Sequence, residues 1–226
     1  MSAKNDQVNL INELLTRGIK EVIPSKKSLE KALLEGKRLT VYHGVDPTAP
    51  NLHLGHSTNY IFLRKLQKLG HKIVLLIGDF TARIGDPSGR TTGRVPLTPE
   101  QISENCKTYK EQAAKILDFE SRENPVSVEY NSKWLRNQTL ESVLDIASHF
   151  TVQQMITREM FQKRIKTESP IGLNEFLYPL MQGYDSVALK ADIEVGGNDQ
   201  LFNMLIGRDL AKAYLCLLYT SPSPRD

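Results

Sequence analysis

His53-Leu54-Gly55-His56 follows the Pro-flanked turn Asp46-Pro47-Thr48-Ala49-Pro50. Two imidazole donors on the first turn of a helix would sit beside unpaired backbone N–H groups and a partial positive charge. That is a place to hold a polyphosphate. Gly55 removes a side chain that would keep a ligand away from the backbone. Taken alone, the tetrad also fits two surface histidines near a helix cap. Zinc is a poor reading, because the chain has five His and two Cys and offers no third and fourth ligand at useful spacing.

Three other constellations carry chemistry. Gly85-Asp86-Pro87-Ser88-Gly89 lies in a glycine-rich stretch and reads as a turn. Asp86 is suited to accept from a substrate ammonium. Arg90 and Arg94 are suited to close over phosphates through their guanidinium forks, or else to lie solvated in a loop. Tyr178, Gln182 and Asp185 are spaced i, i+4, i+7, so they share one helix face. On a helix rich in Leu, Met and Phe that stripe reads as a pocket wall or an exposed face. Glu194-Val195-Gly196-Gly197-Asn198-Asp199-Gln200 joins an apolar run, a Gly pair and an acidic helix start, an arrangement that brings backbone and Asp199 against a ribose. These are donors and positioning groups, with no nucleophile–base triad among them.

The elements that must position these groups follow from periodicity. Leu39 to Val45 and Ile73 to Ile77 are apolar runs of strand length, and a helix from Pro50 to Leu69 lies between them, stopped by Gly70. Strand, helix, strand at this spacing is a βαβ unit with a right-handed crossover. The His tetrad then falls at the C-terminal edge of a parallel sheet, where open α/β folds bind ligands. An N-terminal helical stripe covers Val8 to Leu15, ended by Gly18, and Ser28 is placed to cap a second helix, Leu29 to Glu35. Thr98-Pro99-Glu100-Gln101 and Thr151-x-x-Gln154 read as capping boxes that start helices to about Leu117 and to Lys166. Further helices are expected over Leu140 to Phe150, Leu173 to Leu189 and Asp199 to Leu215, with a short strand over Val126 to Tyr130. The expected fold is α/β: a Rossmann-like parallel sheet with helices on both faces. Residues 1–36 form N-terminal helices, 37–215 the Rossmann-like domain, and about 98–166 a mostly helical insertion.

With 226 residues, 24% of them charged, and a net charge of +3, the chain has the composition of an ordinary soluble domain. Cys106 and Cys216 make no disulfide framework, and no apolar run has the length of a membrane span. A cytoplasmic protein with no membrane partner is expected. The last eleven residues, Cys216 to Asp226, end in a Ser/Pro tail unlike what precedes. They read either as a disordered terminus or as an addition, being encodable by a library-adaptor sequence. The second reading makes 216–226 non-native and is tested by the codons themselves.

In this order, four stretches carry a specific resemblance: Gly44-Val-Asp-Pro-Thr-Ala-Pro-Asn-Leu-His-Leu-Gly-His56, Ile84-Gly-Asp-Pro-Ser-Gly89, Phe176-Leu-Tyr-Pro-Leu-Met-Gln-Gly-Tyr-Asp185 and Val195-Gly-Gly-Asn-Asp-Gln200. Over nearly all of Val8 to Leu215 the sequence resembles the catalytic domain of bacterial tyrosyl-tRNA synthetases, class I enzymes with a Rossmann-like core. The resemblance implies that His53, His56 and Thr48 meet the phosphates of ATP, and that Arg90 and Arg94 lie over pyrophosphate. Gly44, Asp46, Pro47, Gly55, Gly197 and Asp199 are implied at ATP, the last two at the ribose. Tyr42 and Asp185 correspond to the pair that recognises the substrate phenol. Tyr178, Gln182 and Asp86 correspond to the group around the α-ammonium, and Gln200 to a contact near the reacting carboxylate. His43 stands where many members have a smaller residue.

The resemblance further implies L-tyrosine, ATP with Mg2+ and tRNA(Tyr) as partners, no protein-bound metal, and a homodimer formed through the insertion. The family's Lys-Met-Ser-Lys-Ser-type loop, anticodon-binding helices and C-terminal RNA-binding domain are absent from the sequence, so impaired activation is expected. A tryptophanyl-tRNA synthetase, a nucleotidylyltransferase and a non-catalytic RNA-binding relative are the alternatives.

Overall fold

The computed structural model describes residues 2–88 and 96–215. Arg90 and Arg94, and the tail from Cys216, lie outside the described residues. In chain order the helices and strands are α1 (Ser2–Thr16), α2 (Lys26–Leu34), β1 (Thr40–Val45), α3 (Leu54–Lys68), β2 (Lys72–Ile77), α4 (Pro99–Cys106), α5 (Tyr109–Ala113), β3 (Ser127–Tyr130), α6 (Ser132–Leu135), α7 (Leu140–Ser148), α8 (Val152–Ile156), α9 (Glu159–Lys166), α10 (Leu173–Ala188), β4 (Ile193–Glu194) and α11 (Leu201–Leu215). Short 3-10 turns cover Thr81–Arg83 and Asn198–Gln200.

The described strands form one sheet in the order β3-β2-β1-β4, with every pairing parallel. The order turns back at β1, which lies between β2 and β4. The register sets Tyr42 beside Val74 on one side and Glu194 on the other. Side chains alternate across the sheet as the pleat requires. Val41, Ile73, Leu75 and Ile77 face a core closed by Leu14, Leu63 and Leu66. Tyr42, Val74 and Leu76 face the opposite side, packed by Trp134, Leu189 and Ala191. A second core, with Leu180, Val187, Ile206 and Leu210, joins α10 to α11. No helix among the described residues is long and apolar enough to cross a membrane.

Three expectations are corrected. Ser25, not Ser28, caps α2: its hydroxyl accepts from the Ser28 N–H at 3.1 Å, which shifts the helix start toward the N-terminus. The helix expected to run from Thr98 to about Leu117 breaks into α4 and α5. At the break the chain grips the turn before His53. Tyr109 Oη donates to the Ala49 carbonyl at 2.6 Å, Gln112 Nε2 donates to the Pro50 carbonyl at 2.9 Å, and Gln112 Oε1 accepts from the Leu52 N–H at 2.9 Å. The helix expected from Thr151 to Lys166 likewise divides into α8 and α9, with extended backbone at Arg158 (φ −59°, ψ 129°). The strand expected over Val126 to Tyr130 forms as β3, paired with β2. Both capping boxes form as read.

Candidate functional site

The first part of the site is built by β1, its turn and the start of α3. His53 is the N-cap of α3, and its Nδ1 accepts from the Gly55 N–H at 3.1 Å. His56 Nδ1 accepts from the His53 N–H at 3.1 Å. Each neutral imidazole that accepts at Nδ1 carries its proton at Nε2. The capping bonds therefore leave two Nε2–H donors on one helix start. Burial, with His53 and His43 nearby, pulls the His56 pKa down to about 4, so it is a neutral donor at physiological pH. A Cβ at position 55 would lie 2.8 Å from the His53 ring, so Gly55 makes room for the cap itself. Gly44, Thr48, His53, Gly55 and Asp199 are exposed. The Pro47 carbonyl accepts from Asn105 Nδ2 at 2.9 Å, fixing the turn. His43 is buried, its Nδ1 2.7 Å from the Val195 carbonyl, and burial lowers its pKa. It ties β1 to the segment after β4.

The second part of the site is built by α10 against β1 and β2. Asp185 is 3% exposed. Its Oδ1 accepts from Trp134 Nε1 at 2.8 Å and its Oδ2 from Asn131 Nδ2 at 3.3 Å. Burial raises its pKa well above the carboxylate range, while these two donors oppose the rise. Tyr42 is 1% exposed, its Oη 2.8 Å from Ser186 Oγ, and burial together with the Glu194 and Asp185 carboxyls raises its pKa. Tyr178 Oη donates to Asp46 Oδ2 at 2.9 Å, and Thr81 Oγ1 donates to Asp46 Oδ1 at 2.7 Å. Asp46, expected at ATP, thus has its carboxylate oriented by Tyr178 of α10 and by Thr81. Gly78 permits this: a Cβ there would lie 2.0 Å from Asp46 Oδ1.

A third group joins α10, β4 and α11 to the loop after β2. Gln182 Nε2 donates to Glu194 Oε1 at 3.1 Å, and Gln200 Nε2 donates to Asp86 Oδ2 at 2.6 Å and Asp199 Oδ2 at 3.0 Å. Asp86 Oδ1 accepts from the Ser88 N–H at 2.9 Å, closing the expected turn. The polar stripe of α10 is therefore a wall and not an exposed face. Gly197 and Asn198 also line a cavity of about 350 Å³ at the open edge of β4, with Asn59, Phe62 and Met204.

Sequence reasoning missed Asn131, Trp134, Thr81, Ser186, Asn203 and Arg158. Asn131 follows the C-terminal end of β3, a ligand-binding position in parallel sheets, and that placement was the available signal. Arg158 Nη2 donates to Ser88 Oγ at 2.6 Å, and the guanidinium lies 4.9 Å from the Phe202 ring centroid. The break between α8 and α9 is what carries this side chain to the loop. Among the described residues, no group of three His, Cys, Asp or Glu side chains converges as a metal site.

A family model described as tRNA synthetases class I (W and Y) matches residues 34–224. The tyrosine–tRNA ligase of Carboxydothermus hydrogenoformans is 49% identical over 212 residues, covering 92% of this chain and 51% of that protein. That of Burkholderia mallei is also 49% identical over 212 residues, covering 50% of its length. The chain spans about half the length of the curated relatives it matches. A solved C-terminally truncated mitochondrial tyrosyl-tRNA synthetase from Coccidioides posadasii superposes with a TM-score of 0.77 at 28% identity, covering 94% of this chain and 64% of that one. With a match of this extent and the parallel sheet, His-capped helix start and buried Asp185 already described, the chain belongs to the class I tRNA synthetases of the tryptophan and tyrosine type.

Proposed function

We propose that this chain carries the tyrosine-activating site of a tyrosine–tRNA ligase. A carboxylate oxygen of L-tyrosine attacks the α-phosphorus of ATP, the bond to pyrophosphate breaks, and tyrosyl-adenylate forms. In the complete enzyme a ribose hydroxyl at the 3′ end of tRNA(Tyr) then attacks the tyrosyl carbonyl and AMP leaves. ATP enters as its magnesium complex.

The observation that carries the reading is the buried Asp185 carboxyl. It is held by Trp134 and Asn131, and after burial and the Glu194 carboxyl it adds to the upward push on the pKa of the Tyr42 phenol. A buried acceptor beside a buried hydroxyl suits a phenol and leaves polar groups unpaired when phenylalanine binds. Tyrosyl-tRNA synthetases are themselves a standing illustration of this rule. Tyr178, Gln182 and Asp86 supply the ammonium end. Gln200 stands beside Asp86, at the place proposed for the reacting carboxylate. His53 and His56 supply N–H donors for charge developing on the departing pyrophosphate, with Thr48, Gly44, Pro47 and Gly55 along the same edge. Asp199 and Gly197 are proposed at the ribose, and Arg90 and Arg94 over pyrophosphate. No covalent enzyme intermediate is needed; alignment and charge stabilisation supply the rate.

We also propose a homodimer through the helical segment. Leu140 and Leu144, one turn apart on α7, are 75% and 62% exposed, and Val152 at the start of α8 is 69% exposed. Sedimentation of Leu144→Asp should give a monomer if that face is the interface. The proposed setting is the cytoplasm, where charged tRNA feeds translation. Isothermal titration of the chain with tyrosine, tryptophan and phenylalanine tests the main reading. Tyrosine is expected to bind far more tightly than the other two, and preferential tryptophan binding would overturn the assignment.

A further inference from the structure

Asn203, the third residue of α11, is 0% exposed. Its Nδ2 donates to Gln182 Oε1 at 2.9 Å and to Gln200 Oε1 at 3.0 Å. Both glutamines turn their own NH2 groups outward, Gln182 to Glu194 and Gln200 to Asp86 and Asp199. An ionised carboxylate only accepts, so a glutamine bonded to one must present its NH2 there and its oxygen elsewhere. The carboxylates at the two ends thus face both Oε1 atoms inward. A side chain between two inward oxygens joins them only as a double donor. Rotating the Asn203 amide by half a turn would set oxygen against oxygen. In the orientation adopted, Asn203 Oδ1 is buried with no hydrogen-bond partner. An unpaired buried acceptor is disfavoured, and here it is the consequence of the polarity imposed from both sides.

We propose that Asn203 is a positioning residue that fixes the direction of the Gln182 and Gln200 amides and so sets the substrate-binding wall. From Gln182 the chain of hydrogen bonds continues through Glu194 and Ser186 to Tyr42, and from Gln200 it ends at Asp86. One amide therefore links the group proposed at the phenol to the group proposed at the ammonium. The inference rests on the tyrosine site proposed above.

The test uses Asn203→Asp and Asn203→Ala in this chain, each compared with the unsubstituted chain at the same pH. Asp is nearly isosteric with Asn but, when ionised, is an acceptor facing two acceptors. Tyrosine affinity of Asn203→Asp is expected to fall about tenfold or more near pH 8, with ATP affinity changed less than about twofold. Burial and the surrounding oxygens raise the new carboxyl's pKa, so on acidification it regains an O–H donor and the loss shrinks. Asn203→Ala should lose affinity without that recovery. Asp86, Asp199 and Glu194 face this group, with Arg158, Tyr42 and Asp185 beyond them, and are common to all three proteins, so the ratio to the unsubstituted chain is the readout. Equal losses with the same pH profile in the two variants, or a parallel loss of ATP binding, would overturn the proposal.

Thermal unfolding of the same proteins without ligand separates this inference from the tyrosine reading. A melting deficit of Asn203→Asp that closes as pH falls supports the polarity whichever amino acid binds. A deficit independent of pH overturns it.

Discussion

Trp134 and Asp185 meet through an indole N–H···carboxylate bond of 2.8 Å, which ties the short helix after β3 to the polar face of α10. The bond supplies one of the donors that offset burial of the carboxyl. Trp134→Phe keeps most of the ring volume and removes the donor. Asp185 would then hold Asn131 alone at 3.3 Å and be free to turn from the phenol position. Tyrosine affinity is expected to fall about tenfold, the scale of one hydrogen bond to a charged or strongly polar group, with ATP affinity unchanged. Titration with each ligand checks this, and an equal loss of both would point to general disruption.

Much of this site was legible as local pattern, and the reasons are physical. Tyr178, Gln182 and Asp185 announce themselves because a helix repeats every 3.6 residues, and His53 and His56 because a cap has fixed spacing. The βαβ unit was legible because both strands are continuous apolar runs. Asn131, Trp134 and Arg158 are single residues whose roles exist only once β3, α6 and the break before α9 fold against α10 and the Asp86 loop. The two helices expected to continue and found broken share a cause. Tyr109 and Gln112 are pulled to the turn before His53, and Arg158 to Ser88. Tertiary bonds there override helix propensity.

Glu194 should give the chain a pH signature. Burial raises its pKa from 4.5 to about 6, although Gln182, Tyr42 and Ser186 favour the charged form. A carboxyl with a raised folded-state pKa binds its proton more readily folded than unfolded. Its contribution to stability therefore falls as pH rises from about 4.5 through about 6. Glu194→Gln removes the titration while keeping an acceptor for Gln182 and a donor for Ser186. The variant's melting temperature relative to the parent is expected to rise across that window and then level. A flat difference between the two proteins from acid to neutral pH would show that Glu194 titrates normally.

Arg164 and Glu175 form a buried bidentate pair, with Nη1 to Oε2 at 2.6 Å and Nη2 to Oε1 at 2.9 Å. Arg164 also donates to the Pro170 carbonyl, and Glu175 accepts from the Gly172 N–H at 2.8 Å. The pair fastens the loop between α9 and α10 and so fixes where the polar face of α10 begins. Removing one partner leaves the other charge buried and uncompensated. Glu175→Ala is expected to destabilise the chain by about 3–5 kcal/mol in denaturant unfolding. Replacing both partners together, Arg164→Met with Glu175→Leu, should recover a large part of that. Failure of the double variant to recover any of it would place the energy in packing and not in the unpaired charge.

His53 has two roles that substitution can separate. Its Nδ1 caps α3, and its Nε2–H is the donor proposed for a phosphate. Asn is a good N-cap, so His53→Asn should hold stability within about 0.5 kcal/mol, whereas His53→Ala should lose about 1 kcal/mol. Neither variant carries the imidazole donor. If that donor acts on charge developing as pyrophosphate leaves, it contributes more in the transition state than in bound ATP. Tyrosine-dependent ATP–pyrophosphate exchange should then fall by about the same factor in both variants, roughly tenfold or more, with ATP affinity reduced less. Stability would follow the cap and exchange would follow the donor. Exchange that tracked stability, intact in His53→Asn and lost in His53→Ala, would mean that the histidine serves the helix alone and that the phosphate is held by backbone N–H groups and His56.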